Sequence, residues 1–246
     1  MKRLKYTIAN WKMNGTRDSL NLIKSVSKYV HISRHKNSKI VICPPFTLLS
    51  QSLNHLKNIS YGGQDCHQLN NGAYTGSISA EMLRDIGCKY VIIGHSERRE
   101  YFKESSRELR LKLSSAMNNK LTAIYCIGEK QNQKTRRTQI LKSQINSLPK
   151  KFDSKKLIIA YEPVWAIGTG KVPTSEDINK IHLKIRALLA NKIGVGKSKK
   201  ISILYGGSVN ASNASQILNL SHVDGVLVGG ASLKLKDFCK IIDSYQ

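Results

Sequence analysis

Acidic side chains are scarce in this chain of 246 residues: 16 Asp and Glu face 40 Lys and Arg, for a formal net charge of +24. A basic surface concentrates anionic ligands and binds nucleic acid without sequence preference. Aromatic residues make up only 7%, however, and the run Lys197-Ser198-Lys199-Lys200 has none between its cations on which bases could stack. The charge therefore reads as a lysine-rich solvated surface, with no specific nucleic-acid partner. Paired cysteines are missing too. Cys43, Cys66, Cys88, Cys126 and Cys239 form no Cys-x-x-Cys unit and no even framework, which argues against a zinc site or a disulfide scaffold and for reduced thiols. No apolar run approaches the roughly 18 residues of a membrane span, and Met1-Lys2-Arg3-Leu4-Lys5 leads into a run too short for a secretory core. The expectation is a cytoplasmic protein with no membrane contact. A Pro/Gly/Ser-rich linker is also lacking, so residues 1–246 read as one domain.

What is present is a rhythm. Short apolar runs recur at Lys5 to Ala9, Ile40 to Cys43, Ile59 to Gly62, Tyr90 to Ile93, Thr122 to Ile127, Leu157 to Tyr161, Ile201 to Tyr205 and Gly225 to Val228. They are continuous rather than alternating, as parallel strands covered on both faces should be. Helix-favouring segments lie between them, among them Ser105 to Asn118, Thr135 to Leu148 and Ile178 to Lys192. Thr174-Ser175-Glu176-Asp177 offers a hydroxyl cap followed by a carboxylate at the third position. Eight strands alternating with helices predict a closed parallel (β/α)8 barrel, with an open doubly wound sheet as the competing arrangement.

In such a barrel function sits at the C-terminal ends of the strands. Immediately after the runs come Asn10 and Lys12, Gln64 and Asp65, His95-Ser96-Glu97, Glu129, Glu162, Gly206-Gly207-Ser208 and Gly229-Gly230. The two glycine pairs let backbone N–H groups approach a ligand, and a helix N-terminus beyond them would favour an anion; together they predict a phosphate site. His95 stands between an apolar strand and a polar turn, where a helix N-terminus would disfavour the imidazolium. Lys12, at a strand end facing a phosphate-binding mouth, becomes a candidate for holding a developing oxyanion.

The segment Ala160-Tyr161-Glu162-Pro163-Val164-Trp165-Ala166-Ile167-Gly168-Thr169-Gly170-Lys171-Val172 contains a Gly-Thr-Gly-Lys that invites a nucleotide-loop reading. That motif needs Gly-x-x-x-x-Gly-Lys-[Ser/Thr]. Here Trp165 holds the position of the first glycine and Val172 follows the lysine. What remains is a carboxylate at a strand end followed by an apolar, glycine-containing segment.

Asn10-Trp11-Lys12, Gly72-Ala73-Tyr74-Thr75-Gly76, Ile93 to Arg99, Cys126-Ile127-Gly128-Glu129, Tyr161 to Lys171, Tyr205 to Ser208 and Asp224 to Leu233 occur in the order of, and resemble, the motifs of the triosephosphate isomerase family. The resemblance implies a single-domain TIM barrel and an aldose–ketose isomerase acting on a triose phosphate in glycolysis and gluconeogenesis. It implies that Glu162 moves a proton between C1 and C2 of dihydroxyacetone phosphate and glyceraldehyde 3-phosphate, that His95 shuttles protons at the substrate oxygens, and that Lys12 stabilises the enediolate. Asn10 would orient the substrate, Glu97 would support Lys12, and backbone N–H groups of Gly168, Ser208, Gly229 and Gly230 would hold the phosphate. No metal or organic cofactor is implied. A homodimer is, with the loop around Thr75 inserted beside Asn10 and Lys12 of the neighbouring subunit. Ser77 stands where the family usually has glutamate, and Pro173 where a small residue usually ends the lid; a proline there would stiffen the far hinge. The alternative is another barrel enzyme acting on a phosphorylated metabolite, such as a Schiff-base aldolase, but that chemistry wants a buried lysine near mid-barrel rather than one at a strand end.

Overall fold

The eight runs pair side by side in sequence order and close on themselves in a computed structural model that describes residues 3–53, 58–167 and 172–245. The strands are β1 (Tyr6–Asn10), β2 (Lys39–Cys43), β3 (Ser60–Gly63), β4 (Tyr90–Ile93), β5 (Thr122–Ile127), β6 (Leu157–Tyr161), β7 (Ser202–Tyr205) and β8 (Gly225–Val228). All neighbours are parallel, and Tyr6 at the seam pairs with Lys39 on one side and Gly225 on the other. Closure demands glycine at that point, because a Cβ on Gly225 would lie 2.1 Å from the Tyr6 carbonyl oxygen. The open-sheet alternative is thereby excluded. Each expected strand agrees with the observed one to within a residue at either end.

Side chains alternate along each strand. Tyr6, Ile8, Tyr90, Ile92, Ile158 and Ala160 belong to a small cluster that fills the barrel, while Leu157, Ile159 and Tyr161 pack outward in a larger cluster against the helices. Both faces are therefore apolar, which is why the runs are continuous rather than alternating. The helices begin where caps allow. Ser105 accepts the Glu108 N–H at 3.2 Å ahead of the helix Ser106–Asn118, and Thr174 accepts that of Asp177 at 3.1 Å ahead of Ser175–Ile193. The segment expected to be helical from Thr135 instead starts earlier as a 3-10 turn, Gln131–Arg136, and becomes α-helical only over Arg137–Asn146. Among the described residues no helix is long and apolar enough to cross a membrane.

One ionisable group sits in the outer core without taking part in any site. His182, on the inner face of Ser175–Ile193, is fully buried between the rings of Tyr161 and Tyr205, with centroids 5.9 and 6.4 Å away. Burial pushes its pKa down from 6.5 to about 3. The unfolded chain therefore binds a proton that the folded chain refuses, so the stability this residue contributes is fully present above pH 6.5 and is lost as pH falls towards 3. A tenfold difference in proton affinity between the folded and unfolded chain corresponds to about 1.4 kcal/mol. Denaturant midpoints measured from pH 7.5 to pH 4 should fall more steeply for the native chain than for His182→Leu; parallel curves would show that His182 does not carry this dependence.

Candidate active site

At the C-terminal ends of the strands lies a cavity of about 150 Å³ lined by Asn10, Lys12, His95, Glu162, Gly206, Ser208, Gly229 and Gly230. Strand alternation accounts for several of them. Ile158 and Ala160 point into the barrel, and Glu162 continues their parity one step past the end of β6; Asn10, the last residue of β1, shares the parity of Tyr6 and Ile8.

Glu162 is 2% exposed. Its backbone N–H donates to the Ile127 carbonyl at 2.7 Å, one carboxylate oxygen (Oε2) accepts the Ser96 N–H at 2.9 Å, and the other (Oε1) lies 3.1 Å from Nε2 of His95. The strand end is packed so closely that a Cβ on Gly128 would fall 1.7 Å from the Glu162 carbonyl oxygen. His95 caps the short helix Ser96–Tyr101, its Nδ1 accepting the Glu97 N–H at 3.3 Å. The Glu97 carboxylate also comes within 3.5 Å of Nδ1, but a backbone N–H can only donate, and that carboxylate already takes the Lys12 ammonium. Nδ1 is thus the acceptor and Nε2 the N–H, facing the carboxylate of Glu162. The histidine at a helix N-terminus anticipated from the sequence is realised as the N-cap itself.

Lys12 has φ +54°, a left-handed conformation rare for a residue with a side chain. Three contacts hold it there. Its N–H donates to Asn10 Oδ1 at 3.1 Å, its carbonyl accepts from Gln64 Nε2 at 2.9 Å, and its Nζ donates to Glu97 Oε1 at 2.7 Å. Gln64 also donates to the Cys43 carbonyl at 2.9 Å. From the sequence Gln64 is only one of several polar residues at the mouth, without a role. The signal for more was its parity with Gly62, which turns it inward past the end of β3.

Ser208, Gly229 and Gly230, which follow β7 and β8, line the same cavity beside Lys12. A Cβ on Gly229 would point into the cavity, 3.6 Å from Lys12 Cε, so glycine leaves this backbone open to a ligand. The expected helix N-terminus beyond β8 is instead the 3-10 turn Gly230–Leu233, with α-helix only from Leu235 to Asp243. An anion there depends on individual N–H groups more than on a long helix dipole. The Ser208 hydroxyl is engaged, donating to the Ala166 carbonyl at 2.5 Å. Gly168, together with Gly170 and Lys171, lies outside the described residues. Thr75 occupies an exposed turn that does not line the cavity.

Glu129, also without a role on sequence grounds, anchors the start of the flap. Fully buried, it accepts from the Tyr161 hydroxyl at 3.1 Å, Trp165 Nε1 at 3.2 Å and Arg137 Nε at 3.0 Å. The Lys134 ammonium sits 3.4 Å above the Trp165 ring. The turn Val164–Ala166 is thereby tied to the barrel directly after the candidate base.

Known proteins resemble this chain along nearly its whole length. The family model described as "Triosephosphate isomerase" matches residues 5–245. The triosephosphate isomerase of Rhizobium etli is 44% identical over 242 residues, 96% of this chain and 94% of that one. That of a Ruegeria species is 44% identical over 241 residues, covering 97% and 96%. The crystal structure of triosephosphate isomerase from Bartonella henselae superposes with a TM-score of 0.90 at 40% identity, covering 98% of each chain.

Replacing Gln64 with leucine strips the Lys12 carbonyl of its donor and releases a strained backbone. Gln64→Leu should lower unfolding stability by about 1–3 kcal/mol. It should also cut turnover by roughly tenfold to a hundredfold as Lys12 moves off its mark. Denaturant unfolding and steady-state kinetics check both, and a variant unchanged in turnover would show that Gln64 does not position Lys12.

Proposed function

The chain belongs to the triosephosphate isomerase family, and from that premise we propose that Glu162 is the base that carries a proton between C1 and C2 as dihydroxyacetone phosphate and D-glyceraldehyde 3-phosphate interconvert. The observation that carries this assignment is the pairing of a buried carboxylate with the Nε2 of His95 at 3.1 Å, in a cavity that also holds an ammonium. Glu162 takes the proton beside the carbonyl, and the electron pair left behind becomes an enediolate. His95 donates from Nε2 to the carbonyl oxygen and returns protons between the two oxygens. Lys12, kept in place by Glu97, and the amide of Asn10 face the negative charge that develops, and the backbone N–H groups of Ser208, Gly229, Gly230 and Gly168 hold the phosphate. Acid–base catalysis of this kind supplies about 10²- to 10⁴-fold, and fixed donors around the oxyanion add to it. Closure of the flap over the substrate keeps water from the enediolate.

The aldolase alternative is disfavoured by a specific contact: among the described residues lining the cavity the one lysine, Lys12, is held by Glu97 at 2.7 Å, whereas Schiff-base formation needs a free amine. We further read the chain as one catalytic domain, working in the cytoplasm as a homodimer. Met13, adjoining Lys12, is 96% exposed, and Tyr74, Tyr101 and Phe102 are large exposed apolar residues as well. Such an apolar surface suits a second copy of the chain, with the turn around Thr75 reaching towards the Asn10–Lys12 segment of that copy.

Glu162→Asp withdraws the carboxylate by one methylene and should lower turnover about a hundredfold or more with KM nearly unchanged; an unchanged turnover number would remove Glu162 from the role of base. Thr75→Arg should convert the chain from dimer to monomer in sedimentation velocity and cost most of its activity. A native chain that sediments as a fully active monomer would overturn the dimer.

A further inference from the structure

The end of the barrel away from the active site carries a second hollow, of about 340 Å³ against about 150 Å³ for the substrate cavity. It opens where β1, β6 and β7 begin, whereas the active site forms where the same strands end. The two are separated by the length of a five-residue strand, roughly 16 Å. Its lining is largely apolar, with Tyr6, Leu157 and Ile158 from the strand starts, and Leu4 stands at the lip, 54% exposed. Leu4 is not loose there, since its carbonyl accepts the Ser202 hydroxyl at 2.7 Å.

Four cations share this lining: Arg3, Lys155, Lys199 and Lys200. Arg3 is neutralised by Asp224 at 2.6 Å. Among the described residues no carboxylate forms a salt bridge with the other three, all exposed. Solvated lysines on a convex surface would call for no explanation. Lysines around a concave apolar lining are different, because the cavity offers an apolar body a place out of water and the rim offers an anionic head three uncompensated partners. The volume falls in the range of small-molecule sites. Bases of a nucleic acid would find no open ring to stack on, Tyr6 being buried. A membrane surface would meet a concavity with a single protruding leucine.

We propose that this hollow binds a small amphipathic anion: a ring-sized apolar body seated against Leu4, Tyr6, Leu157 and Ile158, with a phosphate, sulfonate or carboxylate head among Lys155, Lys199 and Lys200. The site is separate from the isomerase centre and does not depend on the roles assigned there.

The probe is 1-naphthyl phosphate, titrated calorimetrically into the native protein with dihydroxyacetone phosphate at saturation to occupy the active site. One site per chain is expected, with 1-naphthol and inorganic phosphate each binding at least tenfold more weakly, because each supplies only half of the recognition. The triple charge reversal Lys155→Glu, Lys199→Glu, Lys200→Glu and, separately, Leu4→Asp should each weaken binding at least tenfold while leaving isomerase turnover unchanged. Absence of a saturable site below about 1 mM, or undiminished binding in both variants, would overturn the proposal. So would cosedimentation with phosphatidylglycerol vesicles that 1-naphthyl phosphate fails to displace, which would point to a lipid surface rather than a free ligand.

Discussion

A carboxyl group with almost no water contact, that of Glu162, is the constraint around which this end of the barrel is built. Burying Glu162 is expensive unless its oxygens are met by donors. Oε2 accepts the Ser96 N–H at the start of a helix, whereas Oε1 accepts no hydrogen bond among the described residues and lies 3.1 Å from Nε2 of the histidine that caps the same helix. Space is made by glycines on the flanking strand ends. A Cβ on Gly206 would press the Glu162 side chain at Cγ, 3.1 Å away, and one on Gly128 would collide with its carbonyl. His95 is oriented by Glu97, and Glu97 in turn fixes Lys12, so base, proton shuttle and cation form one chain of contacts.

The same economy of acids bears on the unusual charge of the molecule. Of the few carboxylates, Asp65, Glu104, Glu129, Glu162 and Asp224 are enclosed in the structure rather than spread over it. Lys112 lies between Asp65 and Glu104, at 2.8 and 2.6 Å, and Asp224 takes both Arg3 and Arg186. Acids committed to the interior cannot balance lysines on the surface. Two regions benefit from the resulting field: the mouth, where a triose phosphate must be gathered, and the opposite end, where cations ring an apolar hollow.

How far these features could be read in advance depended on the distance between partners. The strands were legible because each is covered on both faces, leaving a local apolar run, and the helix starting at Ser175 was legible because Thr174 and Asp177 meet within one turn. Glu162, His95 and Lys12 were reachable through one rule, that barrel function collects at strand ends, and the likeness to known motifs supplied their separate tasks. Gln64 and Glu129 could be located but not interpreted. Gln64 acts on the carbonyl of Lys12, 52 residues away, and Glu129 on Tyr161 and Trp165, more than 30 residues on; such pairs exist only after the barrel closes. The 3-10 turn after β8 was missed because Gly229-Gly230 suits a helix start and a tight turn equally well.

At the heart of the mechanism is proton transfer through an ionised side chain, as opposed to hydrogen moving directly between adjacent carbons. The most direct measurement is to convert dihydroxyacetone phosphate in deuterium oxide, trap the glyceraldehyde 3-phosphate as it forms, and read deuterium at C2 by NMR. A carboxylate that holds the proton between two steps lets some of it exchange, so a measurable share of C2 deuterium is expected. Product with none at C2 would mean a direct hydrogen shift and would contradict the role given to Glu162.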